Sequence, residues 1–198
     1  MSQQPFQFKK FKVHQDRCAM KIGTDGVLLG AWSSIEHEPK SILDIGSGTG
    51  VVALQLAQRS SATTIDAIEI DDQAHEQCTH NFEHSDWADR LFCYHASVQE
   101  FASEMEHKYD LIVSNPPFFK APKSIDAQTQ NTSQERAVAR FTDTLPFKHL
   151  VVCAAHLLSQ NGVFCTILPQ TEVASFIEIA AQNKLFISKI CTIRGTKT

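Results

Sequence analysis

The stretch Ser41-Ile42-Leu43-Asp44-Ile45-Gly46-Ser47-Gly48-Thr49-Gly50 decides how this chain folds. Its first half is an apolar run of buried-strand length, and its second half sets three glycines at alternate positions. Val51 to Arg59 follows at once and reads as a helix, with Val52, Leu54 and Leu56 among its apolar positions. A strand that passes through a glycine turn into a helix amino terminus is the context of a nucleotide-binding turn. The glycines allow tight turning and close approach of backbone to ligand. The free N–H groups of the helix suit a carboxylate or phosphate.

Outward from this stretch, Thr63 to Ile70 reads as a second strand and Asp71 to His84 as a polar-faced helix. Further strands are expected at Leu91–Tyr94, Tyr109–Ser114 and Gly162–Leu168. Two more helices are expected, one between Thr144 and Ser159 that stops at Asn161-Gly162, the other between Thr171 and Asn183. Strands alternating with long helices predict βαβ units and a mostly parallel α/β sheet wound right-handedly. The glycine turn and Asn115-Pro116-Pro117-Phe118 both follow strands, so both should emerge at the carboxyl edge, where ligands bind. Ahead of the first of these strands, Thr24 or Asp25 is expected to cap a short helix with Val27, Leu28, Ala31 and Trp32 on its apolar face.

A length of 198 residues suits one domain with a substantial core. A hydrophobic content of 42% with 20% charged residues excludes a disordered, collagen-like or coiled-coil chain. No apolar run approaches the roughly 20 residues of a spanning helix. Met1 to Lys12 lacks the apolar stretch of a secretory signal, which makes the cytosol the expected compartment. The six cysteines form no C-x-x-C, which favours buried free thiols over disulfides or zinc. With a net charge of −4, any RNA contact must use a local basic patch.

The chemistry narrows from there. The spacing is G-x-G-x-G rather than the dinucleotide G-x-G-x-x-G, and no Gly-Lys-Ser/Thr follows, which excludes an ATP-type loop. Glu69, ending the second strand, can accept two hydrogen bonds from ribose hydroxyls. Pro116 and Pro117 forbid further ladder donation and fix a rigid exit from the sheet. The Asn115 side-chain carbonyl and the Pro116 backbone carbonyl can accept both N–H groups of an adenine exocyclic amine and draw its nitrogen toward tetrahedral geometry. Phe118 can stack on the base. Positioning and preorganised dipoles then suffice, without metal, covalent intermediate or strong base. A base held in structured RNA must be flipped out to reach such a pocket.

Asp44 to Gly50 resembles the first motif of class I S-adenosylmethionine-dependent methyltransferases. Asn115-Pro116-Pro117-Phe118 resembles the N/D-P-P-Y/F signature of those acting on amino groups of adenine, cytosine, guanine or glutamine amide. The resemblance implies a Rossmann-like, mostly parallel sheet with S-adenosylmethionine as cofactor. It also implies Gly46, Gly48 and Gly50 at the methionine end, Asp44 bracing the loop and Glu69 on the ribose. Met20 to Trp32, Ile112 to Phe119 and Ala139 to Leu145 are similar to bacterial tRNA adenine-N6 methyltransferases, and the likeness runs nearly the whole chain. That family modifies the adenine 3′ of the anticodon in a valine tRNA. The likeness implies a tRNA partner, with Lys21, Thr24 and Asp25 near the cofactor and reacting centre. Residues 1–38 then form an amino-terminal cap and RNA-contact segment, and residues 39–198 the core.

Several features leave alternatives open. Phe6, Phe8, Lys9, Lys10, Phe11 and Lys12 interleave aromatic and basic residues, which suits a single-stranded RNA contact or equally a solvated tail with anchoring phenylalanines. Lys120, Lys123, Arg136 and Arg140 flank a polar loop expected to recognise substrate. His80 and His84 stand four apart without a third ligand and read as surface histidines rather than a metal site. Many adenine-N6 enzymes carry an aspartate after the third strand. Here the segment is His95-Ala96-Ser97-Val98-Gln99, so Ser97 or a backbone N–H is expected at the cofactor's adenine. Leu185 to Arg194 is expected to begin a terminal antiparallel hairpin whose return strand is missing, leaving an exposed edge open to pairing or aggregation. Competing functions are rRNA guanine-N2 or protein-glutamine N5 methylation, a cofactor-binding scaffold without catalysis and, more weakly, a nicotinamide dehydrogenase.

Overall fold

The computed structural model describes residues 4–117 and 146–195. A short antiparallel hairpin, β1 (Phe6–Gln7) and β2 (Lys12–Val13), stands ahead of the main sheet and is followed by α1 (Thr24–Trp32). The central strand of the sheet is β3 (Ser41–Ile45). On one side lie β4 (Thr64–Glu69) and, outside it, β5 (Leu91–His95). On the other lie β6 (Tyr109–Ser114) and, outside it, β7 (Leu158–Thr166). Every pairing in this sheet is parallel. The connecting helices are α2 (Val51–Arg59), α3 (Asp72–Glu83), α4 (Val98–Glu104) and α5 (Phe147–Leu157), and α6 (Val173–Gln182) follows β7.

Alternation along the strands builds two cores. Ile42, Ile65, Leu111 and Val113 face α2 and α3 with Leu54 and Phe82, while Leu43, Ile45, Ile68 and Ile112 face α4 and α5 with Phe101, Leu150 and Leu157. A strand covered on both faces reads as a continuous apolar run, which is why Ser41 to Ile45 is legible without alternation. Asp44 shares the α2 face with Ile42 and so projects toward that helix.

Five expectations are corrected. Gly23, not Thr24 or Asp25, occupies the cap position of α1, and no side chain closes it. The buried face of α1 is Gly26, Leu29 and Gly30, whereas Ala31 and Trp32 are exposed. The cause is close packing of α1 on α2. A Cβ on Gly30 would lie 2.3 Å from Gln55 Oε1, and one on Gly26 3.4 Å from Val51 Cγ1. Gly30 and Gly26 leave room for the Gln55 and Val51 side chains of α2, and Leu29 fills the rest of the seam. Arg59 fixes the same pair of helices by donating to the carbonyls of Gly30 and Ser33 at 2.5 and 3.0 Å.

Asn161-Gly162 does not stop a helix. The helix ends at Leu157, β7 begins at Leu158, and the dipeptide lies inside the strand where its register on β6 shifts. A Cβ on Gly162 would sit 2.8 Å from the Tyr109 carbonyl, so this glycine marks a close approach at an irregularity rather than a cap.

Finally, Leu185 to Arg194 forms no strand. A hairpin's first strand draws its ladder bonds from the return strand, and none is present among the described residues. Leu185 alone packs on the core, and Phe186, Ile187, Ile190 and Ile193 are exposed. Cys191 is exposed with them, against the expectation of buried thiols, which Cys18, Cys78, Cys153 and Cys165 do meet.

Replacing Gly162 by Ala is expected to lower stability by about 1–3 kcal/mol through overpacking against the Tyr109 carbonyl. Gly195→Ala, with nothing near its Cβ direction, should leave it unchanged. Urea unfolding of the two variants checks the contrast.

Candidate active site

The ladder sets the site. Ile45 pairs with Ile68 on one side and Ser114 on the other. Gly46, Glu69 and Asn115 are the next residues along the three strands, so they leave the sheet level with one another, with roughly 5 Å between adjacent strands. The Ser114 hydroxyl donates to the Ile45 carbonyl at 2.9 Å and ties the two exits together.

Gly46, Gly48 and Gly50 all have positive φ, at 72°, 53° and 77°. The turn has a packed side and an open side. A Cβ on Gly50 would meet Phe82 at 2.6 Å and the Cys78 sulfur at 2.9 Å, and the buried Ser47 hydroxyl donates to Cys78 Sγ at 3.4 Å. Nothing lies within 4 Å of a Cβ built on Gly46 or Gly48, so their backbone faces open space. Beneath them Asp44 is buried, and its Oδ2 accepts from the Ala53 N–H at 3.2 Å, which pins the turn to α2. Burial pushes the Asp44 carboxyl up to about 7, against the Ala53 bond and helped by the Glu69 charge.

Glu69 is a latch as well as a ligand candidate. Its Oε2 accepts from the Gly48 N–H at 2.8 Å, and its Oε1 accepts from the N–H groups of Ile70 and Asp71 at 2.9 and 3.0 Å. Of the roughly four acceptor sites of a carboxylate, three are used and one remains on Oε2. The arrangement therefore has room for one ribose hydroxyl, not the two expected, unless the Gly48 bond opens. Ile70 beside it is 59% exposed and can cover one face of a purine. The sequence signal for Ile70 was an apolar residue directly after the strand-ending acid.

Ser97 caps α4 in a reciprocal box. Its hydroxyl donates to Glu100 Oε2 at 2.7 Å and accepts from the Glu100 N–H at 3.2 Å, while its own N–H donates to Glu100 Oε2 at 3.0 Å. These bonds hold the Glu100 carboxyl below its usual range. Of the groups offered for the cofactor's adenine, the Ser97 N–H is committed to the cap, and one hydroxyl lone pair stays open.

Asn115 lies against α1. A Cβ on Gly26 would come within 3.9 Å of the Asn115 amide nitrogen, so Thr24 and Asp25, exposed on the same first turn, share its neighbourhood. The Lys21 ammonium instead donates to the Gln15 carbonyl. Pro116 is buried and Pro117 half-buried. Phe118 lies outside the described residues, as do Lys120, Lys123, Arg136, Arg140 and the Ala139–Leu145 stretch.

The amino-terminal arm joins the site through residues that local sequence did not mark. Asn81 on α3 accepts from the His14 N–H at 2.8 Å and donates to the carbonyls of His14 and Thr49 at 2.8 and 2.9 Å. Gln77 accepts from the Arg17 N–H at 3.0 Å. Burial, then the Glu69 charge, pushes the Cys18 thiol up to about 12, which puts the arm in the field of Glu69. Phe8 and Phe11 stack at 4.5 Å, and Phe11 packs on Trp87 at 5.8 Å. Of the two readings of this segment, Phe8 and Phe11 serve the anchoring one.

An open glycine backbone, a carboxylate with one free acceptor site and an exposed apolar residue fit a cofactor with an amino-acid end, a ribose and a purine. Comparison with known proteins agrees. Residues 23–168 match the family described as "Methyltransferase small domain". The chain is 56% identical over 199 residues to a Christiangramia forsetii protein named tRNA1(Val) (adenine(37)-N6)-methyltransferase, covering 99% of this chain and 80% of that one. A Flavobacterium psychrophilum protein of the same name is 54% identical, covering 98% and 80%. Among solved structures, the fold resembles ribosomal protein L11 methylase from Lactobacillus delbrueckii at a TM-score of 0.53 and 16% identity, covering 80% of this chain and 65% of that one. It also resembles a chain named as a methyltransferase and complexed with SAH, at a TM-score of 0.56 and 17% identity, covering 86% and 43%.

Asp44 carries a pH signature. Its folded-state pKa of about 7 lies above the ordinary value of 3.8. Its contribution is therefore fully present below about pH 4 and is lost as pH rises through about 7. Asp44→Asn keeps an acceptor for the Ala53 N–H and removes the titration. The stability of the natural chain relative to this variant should fall between pH 4 and 8, as read by urea unfolding across that range.

Proposed function

The chain belongs to the methyltransferase small-domain family, and on that premise we propose that it methylates N6 of a tRNA adenine, the one 3′ of the anticodon of a valine tRNA. Its cofactor is S-adenosylmethionine, which when bound supplies an electrophilic methyl on a sulfonium. The observation that carries the reading is Asn115-Pro116 leaving β6 in ladder register with the start of the glycine turn.

The glycine turn receives the amino-acid end of the cofactor on its open backbone, with Asp44 holding the turn from below. Glu69 accepts a ribose hydroxyl, Ile70 lies under the purine, and Ser97 offers its remaining lone pair to the adenine amine. Asn115 and the Pro116 carbonyl accept the two N–H groups of the substrate amine. That orients the nitrogen lone pair and makes it more localised, so the amine needs no strong base to act as nucleophile, and the one proton it releases on alkylation passes to solvent. Phe118 stacks on the flipped base. The first turn of α1, with Thr24 and Asp25, forms the wall facing Asn115, and Lys21 lies at the entrance to that helix. Residues 1–38 act as a cap on a core of residues 39–198. Among the described residues no helix is long and apolar enough to cross a membrane. A tRNA substrate supports a cytosolic location.

Incubation with labelled S-adenosylmethionine and separate tRNA, rRNA and protein fractions should put label into tRNA as N6-methyladenosine. Label in protein alone would overturn the reading. Asn115→Ala should lower single-turnover transfer by about 10²–10³-fold with cofactor binding intact. Glu69→Gln should instead weaken cofactor binding by about ten- to a hundred-fold, measured by calorimetry.

A further inference from the structure

A basic groove lies on the amino-terminal arm. It is a cavity of about 450 Å³ whose lining includes Lys9, Lys10, Lys12, His14, His84 and Asn81, and no carboxylate lines it. In a chain of net charge −4, three lysines and two histidines without an acid are a local concentration of positive potential.

The arm presents these cations on a fixed frame. Lys9 and Lys10 sit at the tip of the β1–β2 hairpin, closed by the Phe8 N–H donating to the Phe11 carbonyl at 2.9 Å, and both are exposed. Below the tip, Phe11 is buried against Trp87, so the aromatic side of the segment anchors it and the lysine side is left to solvent. His14, His80 and His84 line up beside them with ring centroids 5.0 and 4.1 Å apart. Burial, then the charges of His84, His14 and Arg17, hold His80 below its usual range, against the opposing charge of Glu83. Glu76, on the same helix, is already paired with Arg17 at 3.0 Å.

The groove also touches the cofactor turn. Asn81 lines it and donates to the Thr49 carbonyl between the second and third glycines. The arm residues that line it precede the stretch matched by the methyltransferase family, residues 23–168. The groove lies between the arm and α3, and the arm is held there by Asn81, by the Gln77–Arg17 bond and by Phe11 packed on Trp87.

We propose that this groove docks the phosphate backbone of the RNA substrate away from the target base. It reads no sequence and adds affinity for a large RNA through lysine–phosphate contacts. The proposal rests on the tRNA reading above and says where the body of that substrate lies.

The test measures equilibrium binding of tRNA to the full chain over a range of salt, beside methyl transfer. It compares the natural chain with the triple variants Lys9→Gln, Lys10→Gln, Lys12→Gln and Lys9→Arg, Lys10→Arg, Lys12→Arg. The glutamine variant should bind tRNA more weakly, by about ten-fold or more at low salt. Its log–log salt slope should be shallower by about 2–3, from about 0.7–0.9 per lost phosphate contact. Its KM for tRNA should rise with kcat and S-adenosylmethionine affinity unchanged, and the arginine variant should restore binding. Unchanged tRNA affinity and salt slope in the glutamine variant would overturn the proposal. So would equal impairment of the arginine variant, because charge would then not be the agent. A natural chain that binds tRNA with this lysine dependence but transfers no methyl to it would sink the tRNA-methylation reading and leave the groove standing.

Discussion

The register of β3 against its two neighbours is the constraint on which the site depends. Ile45 is paired on both sides, with Ile68 and with Ser114. Because both pairings are parallel and in step, three strands release their chains at one level. A slip by one residue on either side would turn Glu69 or Asn115 toward the opposite face. The two cores enforce the register, since a slip by one residue would swap Ile42 and Leu43 between them and turn Asp44 away from the Ala53 N–H.

On this frame the electrostatics are local and opposed. Asp44 lies under the glycine turn, buried and raised, while Glu69 lies at its rim with three backbone donors. The rim carboxylate spends its acceptor capacity keeping the turn shaped, and the buried one keeps the turn on α2. A turn braced from both ends needs little reorganisation when a ligand arrives, which is what preorganised binding requires. The acceptor site that remains on Glu69 Oε2 can be filled without breaking the Gly48 bond that keeps the turn in shape.

The legible parts of the sequence were those whose signal is local. Ser41 to Ile45 is apolar because both faces are covered, and the three glycines lie where positive φ is needed. Asn115-Pro116-Pro117-Phe118 was readable because two prolines end a strand wherever they occur. The failures came where a distant partner decides. The buried side of α1 is Gly26, Leu29 and Gly30, with the Gln55 side chain of α2 seated over Gly30. Gly162 looked like a helix stop because the Tyr109 carbonyl that requires it is 53 positions away. Ser97 keeps one lone pair open, and its capping partner Glu100, three residues on, was itself readable as a capping box.

Asn81 shows best why part of a site escapes a reading of motifs. Its amide replaces a missing strand neighbour for His14, 67 residues earlier, and at the same time holds the Thr49 carbonyl. Nothing in its surroundings on a polar helix distinguishes it from a solvated asparagine. Yet it is 2% exposed, and a buried amide with three good bonds is expensive to leave half satisfied. The same group therefore fixes the arm, closes the back of the cofactor turn and forms part of the wall of the basic groove. Displacing the arm breaks the two His14 bonds and leaves the buried Asn81 amide half satisfied, so the position of the arm is coupled to the group that holds the turn.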